Sequence, residues 1–154
     1  MNPLRLQVCL RPFTPAEVQE RQQEVLDRLA ILENDGVIDV EVVWWSPRVC
    51  PPHSGGPLSG GCPDVVRELV DLADQDGFSL APFIEEHPGA IPGHGDSLTL
   101  PVIALVARDE GEIAGVYPIT LEGTKYTVED GLRTLEAGKS LLNLKESVSA
   151  RQRQ

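Results

Sequence analysis

Leu4, Leu6, Val8 and Leu10 alternate with Arg5, Gln7, Cys9 and Arg11. A period of two predicts a strand with one face turned to a core. Thr14-Pro15-Ala16-Glu17 follows in the form of a capping box, with Thr14 at the N-cap, Pro15 at the first helical position and Glu17 at N3. Val18, Val25, Leu29 and Leu32 then recur at helical spacing, and Gly36 is placed to end the helix in a left-handed turn. Val37 to Trp45 reads as a second strand, apolar on both faces near its end, as a buried parallel strand would be. The three elements form a βαβ unit, whose crossover is expected to be right-handed.

Pro, Gly and Ser dominate 47–61, a loop composition. A second helix begins near Pro63, with Asp64 in its first turn, an apolar face of Val65, Val66, Leu69, Leu72 and Ala73, and Gly77 as its stop. Phe78 to Ile84 is a short apolar piece of undecided type, and 87–96 is another Gly/Pro loop. Leu98 to Ala107, the most apolar run, reads as a central strand entered through Pro101. Asp109-Glu110-Gly111 turns it into a hairpin with Glu112 to Ile119. Thr127 with Asp130 caps a last helix carrying Val128, Leu132 and Leu135. The single domain is expected to run over 1–137. A polar tail follows over 138–154, with one apolar patch at Leu141, Leu142 and Leu144.

The order β-α-β-α-β-β-α predicts an α/β fold: a four-stranded mixed sheet covered by helices. It resembles the thioredoxin-like fold, in which a proline stands just before the third strand. Pro101 takes that structural place, which makes Leu100–Pro101 a candidate cis bond. The alternative is a ferredoxin-like α/β sandwich, which needs a further strand at Phe78 to Ile84.

Composition narrows the habitat. No apolar run in the 154 residues approaches the roughly 18 needed to span a membrane. Met1-Asn2-Pro3-Leu4-Arg5 lacks the form of a secretory signal, so the expected location is the cytoplasm. Acids outnumber bases 24 to 13, for a net charge of −11, and of the bases only Lys125, Lys139 and Lys145 are lysines. Acid excess with scarce lysine suits molar salt, where the Debye length falls to about 3 Å and carboxylates keep the surface hydrated. The same charge disfavours nucleic acid, which is held by clustered basic groups. The nearest approach to such a cluster is Arg48, with Arg151 and Arg153 in the tail.

Candidate chemistry is sparse. A thioredoxin-like enzyme keeps a Cys-x-x-Cys where the first strand meets the first helix, where the helix N-terminus lowers the thiol pKa. Here that junction reads Arg11-Pro12-Phe13-Thr14, and Cys9 lies inside the strand as an inert sheet residue. Cys50-Pro51-Pro52-His53 with Cys62 supplies three ligands of the type zinc favours. Cys9 or His94 would be the fourth. A Cys50–Cys62 disulfide and free loop thiols are the other readings. Glu85, Glu86, His87, His94 and Asp96 form no diagnostic acid/base spacing, and Gly55-Gly56 with Gly60-Gly61 lacks the ending of a phosphate loop. No catalytic residue is assigned, and no cofactor beyond the zinc alternative. Trp44-Trp45 places one indole on each face of its strand: one for the core, the other for an interface, where Trp is enriched.

Gly77-Phe78-Ser79-Leu80-Ala81-Pro82-Phe83, Leu100-Pro101-Val102-Ile103-Ala104-Leu105, Gly115-Val116-Tyr117-Pro118 and Tyr126-Thr127-Val128-Glu129-Asp130-Gly131-Leu132 resemble a family of small acidic haloarchaeal proteins described as helix-turn-helix domain proteins. Val8-Cys9-Leu10-Arg11 and Arg48-Val49-Cys50-Pro51 fit as well. That resemblance implies a DNA-binding transcriptional regulator. A helix-turn-helix joins two helices by about 3–4 residues and offers basic groups to the major groove. Here the first helix runs into a strand, and the second carries Asp64, Glu68, Asp71, Asp74 and Asp76 against Arg67. The residues themselves therefore favour a non-enzymatic interaction or regulatory protein on a redox-inactive thioredoxin-like scaffold, and the resemblance implies a halophilic archaeon as its source. It would bind a protein partner, with a homodimer open, through Trp44, Trp45, Arg48, the 50–62 loop and Leu141–Leu144. A DNA-binding regulator is the alternative, and a zinc- or thiol-dependent activity at Cys50, His53 and Cys62 is the second.

Overall fold

The computed structural model describes residues 4–45, 48–49, 64–76, 85–87, 97–121, 123–139 and 141. In chain order the elements are β1 (Leu4–Leu10), α1 (Ala16–Asn34), β2 (Ile38–Trp44), β3 (Arg48–Val49), α2 (Asp64–Asp76), β4 (Glu85–His87), β5 (Ser97–Thr99), β6 (Ile103–Asp109), β7 (Glu112–Tyr117), β8 (Ile119–Leu121), β9 (Thr124–Tyr126) and α3 (Val128–Glu136). The fold is mixed α/β, with a four-stranded sheet in the order β2-β1-β6-β7. β1 runs parallel to β2, with Leu4 opposite Ile38 and Leu10 opposite Trp44. β6 lies antiparallel to β1 on its other side, and β7 antiparallel to β6. Two small sheets, β3-β5-β4 and β8-β9, complete it.

Alternation along the strands sorts the core into two layers. Leu6, Val8 and Leu10 of β1 pack with Leu105 of β6, Leu29 of α1 and Leu132 of α3. Cys9, Ala104 and Val106 pack with Val65, Val66 and Leu69 of α2. Helices α1 and α3 thus cover one face of the sheet and α2 the other. No described helix is long and apolar enough to cross a membrane.

Several boundaries differ from expectation, each for a local reason. β2 is an edge strand, not a buried one, because among the described residues only β1 pairs with it; Val42 and Trp44 stay 42% and 59% exposed. The run Leu98 to Ala107 is split into β5 and β6 around Pro101, which has no N–H to give to a ladder. Pro118 divides β7 from β8 for the same reason, and β8 with β9 forms a hairpin that three-residue strands do not announce in sequence. Among the described residues the cis peptide bond is Tyr117–Pro118, so Leu100–Pro101 is trans and not the cis bond expected. The capping box at Thr14 does not form, because Pro15 occupies the N-cap position and no side chain caps α1. Instead the Thr14 hydroxyl reaches Gln22 Oε1 at 3.4 Å and the Thr14 carbonyl accepts from Gln19. The box at Thr127 and Asp130 does form. Leu141, expected on a surface patch of the tail, is fully buried in the α1/α3 layer. Phe78 to Ile84, on which a ferredoxin-like arrangement depends, lies outside the described residues.

Gly36 takes φ +79° directly after α1, as expected. The β6–β7 turn places both Glu110 (φ 54°) and Gly111 (φ 85°) in the left-handed region, the form that matches the twist of a two-residue hairpin.

Arg28 of α1 ties the two helices of one face together. Its guanidinium reaches Glu129 Oε2 of α3 at 2.7 Å and both carboxylate oxygens of Glu136. These hydrogen bonds hold both carboxyl groups below the usual glutamate range. A carboxylate with a depressed folded-state pKa stabilises the fold above its unfolded pKa of about 4.3, and that stabilisation disappears as pH falls through the folded value. Arg28→Ala is expected to lower stability by about 1 kcal/mol near neutral pH, since the pairs are partly exposed, and to shrink the loss on acidification below pH 4. Denaturation of both proteins at pH 7 and pH 3 checks this. An unchanged difference between the two pH values would remove Arg28 from the acid response.

Candidate functional site

Three carbonyls stand in a row where the chain passes from β5 to β6, and the groups that bind them come from the end of β1, the end of β2 and the start of α1. The Leu100 carbonyl accepts from the Arg11 guanidinium. The Pro101 carbonyl accepts from the Trp45 indole N–H at 2.9 Å. The Val102 carbonyl accepts from the Arg11 backbone at 3.2 Å and from Gln22 Nε2 at 3.0 Å. Gln22, only 6% exposed on the first turns of α1, also donates to the Arg11 carbonyl at 3.0 Å. A glutamine is needed there because one NH2 carries two donors and can serve both carbonyls from within a core.

This network holds the ends of β1 and β2 beside the start of α1, and it forces the 11–15 connection outward. Phe13 sits in the left-handed region at φ 57° and is 100% exposed. For a bulky residue that conformation costs about 1–3 kcal/mol and persists only where the surroundings impose it. Trp44 leaves the end of β2 beside it, 59% exposed. Between them lies a cavity of 310 Å3 walled by Arg11, Phe13, Gln19, Gln23, Leu26 and Trp44. No carboxylate lines it, although the chain carries 24 acids. Two other surface cavities are acidic: one of 710 Å3 bordered by Asp39, Glu41, Asp64 and Glu68, one of 420 Å3 by Glu20, Glu24 and Asp27. In the larger one, Arg108 is committed to Glu68 at 2.8 Å and Gln7 at 2.7 Å. Arg11 differs, because its Nε is buried with no hydrogen-bond partner among the described residues, and burial lowers its pKa.

The residues expected from sequence fall unevenly on this arrangement. Trp45 is 2% exposed and donates its indole internally, so of the tryptophan pair it anchors the core and is not a contact residue; Trp44 is the exposed one. Pro101 lies in the bound segment, with its carbonyl held by Trp45. Arg48 belongs to β3, opposite Thr99. Cys50, His53 and Cys62 lie outside the described residues, as do His94, Asp96, Leu142 and Leu144. Among the described residues no group of three metal-ligating side chains comes together. Cys9 is a buried free thiol, and desolvation pushes its pKa up to about 12, far from the reactive range. Glu85–His87, whose last residue was expected to open a loop, is a strand paired with β5. Phe13 and Gln22 were not singled out in the sequence. The signal for Phe13 was its place between Pro12 and Pro15, where an aromatic side chain has no regular element to carry it into a core.

A family described as a helix-turn-helix domain matches residues 1–140. The chain belongs to that family. Among curated proteins and among solved structures, nothing matches it. The family match spans all three described helices and the sheets between them. Among the described helices no two follow one another directly: β2 and β3 separate α1 from α2, and six strands separate α2 from α3.

Two outcomes are expected from this geometry. Gln22→Leu leaves the Arg11 carbonyl unpaired in the interior and is expected to cost about 1–3 kcal/mol, read by chemical denaturation; a change within error would show that the amide bears no weight. Iodoacetamide at pH 8 is expected to leave Cys9 unmodified in the folded protein and to alkylate it after unfolding, read by peptide mass mapping. Rapid native labelling of Cys9 would contradict its burial.

Proposed function

We propose that the protein is a regulator of transcription that acts by binding DNA. The observation that carries this reading is the family match over residues 1–140. It takes in the whole α/β unit, so the activity attaches to that unit and not to a detached helical pair.

Charge sets the conditions under which such binding works. Helix α1 carries Glu17, Glu20, Glu24, Asp27 and Glu33 against Arg21 and Arg28, and the sequence of α2 has Asp64, Glu68, Asp71, Asp74 and Asp76 against Arg67. Faces of this kind repel phosphate at low ionic strength, and molar salt screens the repulsion within a few ångströms. Of the 13 bases, Arg48, with Arg151 and Arg153 in the tail, is the nearest approach to a cluster for attracting phosphate. With so few cations the logarithmic salt slope is expected to be shallow, about −3 or less, against −5 to −9 for a protein making 6–10 phosphate contacts.

Selection of genomic fragments on the immobilised protein, from 0.2 to 3 M KCl, tests this. One enriched sequence is expected, with affinity lowered several-fold by Arg48→Ala or by Arg151→Ala. Failure to enrich any sequence at any salt would overturn the proposal.

A second reading is favoured by one observation: Phe13 and Trp44 stand exposed beside a cavity with no carboxylate in a strongly acidic protein. Trp with Arg is the composition of protein-interface hot spots. On that reading the chain regulates by holding a protein partner, on a scaffold whose strand order and flanking helices suit a thioredoxin-like arrangement. Capture of a partner that survives nuclease, with no enriched DNA, would favour this reading over the first.

A further inference from the structure

We propose that two copies of this chain join through the outer edges of β2, which no other described strand covers, antiparallel and in a register centred on Val43, to make one continuous sheet. The inference goes beyond the DNA reading and stands or falls independently of it.

The backbone of β2 faces two ways. Val37 accepts from Leu4 and Trp45 donates to Leu10 at 2.9 Å, so the odd-numbered residues direct their N–H and C=O groups to β1. The even-numbered residues Ile38, Val40, Val42 and Trp44 direct theirs to the outer edge. Val40 N–H is already taken there, donating to Glu33 Oε2 at 2.7 Å. Among the described residues nothing pairs with the outward groups of Val42 and Trp44. A bare sheet edge with apolar side chains is a template for a further strand.

The same two residues are complementary to each other. A two-fold axis through Val43 sets Val42 opposite Trp44 of the second copy, and each such pair exchanges both N–H···O bonds. It also brings the exposed valine (42%) and the exposed indole (59%) side by side on one face, an aromatic–β-branched pair of the kind that stabilises sheets. A register centred on Val42 would require the Val40 N–H that Glu33 occupies. Glu33 thereby disfavours the register centred on Val42, and the interface is isologous, as a closed dimer requires.

Charge points to a second copy over a basic partner. Val42, Val43, Trp44 and the adjoining Phe13, Gln19 and Gln23 carry no formal charge, the Arg11 guanidinium beside them is bound to the Leu100 carbonyl, and nearby Glu41 is paired with Arg5 at 3.9 Å. Two chains of net charge −11 repel as whole molecules, so screening tightens this contact, whereas a basic partner would be released by salt.

Sedimentation of the full chain across micromolar to high micromolar concentration, at 0.2 and 3 M KCl, reads the association. A dimer is expected, at least ten-fold tighter at the higher salt. Val42→Pro removes an outward N–H and no bond to β1, so it is expected to leave the far-UV spectrum unchanged while weakening the dimer at least ten-fold. Trp44→Lys tests the same contact without touching the backbone and is expected to do likewise. In a Cys50→Ser, Cys62→Ser background, Val43→Cys faces its own copy across the axis and is expected to form an intermolecular disulfide faster than Glu41→Cys. A monomer at every concentration and salt, a dimer that survives both Val42→Pro and Trp44→Lys, or cross-linking at Val43 no faster than at Glu41 would each overturn the proposal.

Discussion

The fold depends on how the Leu100–Pro101–Val102 segment is held. Pro101 cannot donate to a ladder, so the chain leaves β5 and enters β6 through a stretch of backbone whose carbonyls need donors from elsewhere. Arg11, Trp45 and Gln22 provide them. Those donors sit at the end of β1, the end of β2 and the start of α1, so one segment fixes the relative position of three elements and the central strand between them. Removing the Arg11 or Trp45 side chain leaves the part-buried Leu100 or Pro101 carbonyl without its donor, which is more costly than losing a surface contact. The same arrangement leaves the 11–15 connection no inward path. That is why Phe13 is exposed in a strained conformation, next to Trp44.

Elements with a strong repeating pattern were legible in the sequence: β1 by alternation, α1 and α3 by helical spacing, the four-stranded mixed sheet by the order of elements. Thr127 and Asp130 were read correctly because both partners of their capping box are local. Thr14 was misread because its apparent partner at Glu17 competed with Pro15 at the N-cap and with Gln22, a residue eight positions away and defined only by tertiary packing. The edge position of β2 was hidden for a related reason. Its end is apolar on both faces, which fits burial, and only the strand order shows that no other described strand covers its outer edge.

The candidate site was legible in halves. Two neighbouring tryptophans on a strand had to face opposite ways, and they do, Trp45 inward and Trp44 outward. The cavity beside Trp44 could not be read from sequence, because it is made by residues brought together from the β1–α1 connection, one face of α1 and the end of β2. Cys9 illustrates the converse: its placement inside an alternating strand already implied an inert thiol, and burial in the α2 layer supplies the cause.

Family membership and surface charge bear on function from different directions. The proposed DNA reading rests on the family description, and under it the acidic side chains of α1 and α2 would restrict where DNA lies and at what salt. A regulator built this way would rely on few phosphate contacts, with specificity resting on base or shape readout. Chromosome occupancy of the tagged protein in its own host, mapped by crosslinking and sequencing, is the most direct measurement. The DNA-regulator reading predicts narrow, reproducible peaks at a defined set of promoters. A profile indistinguishable from that of an untagged control would contradict it.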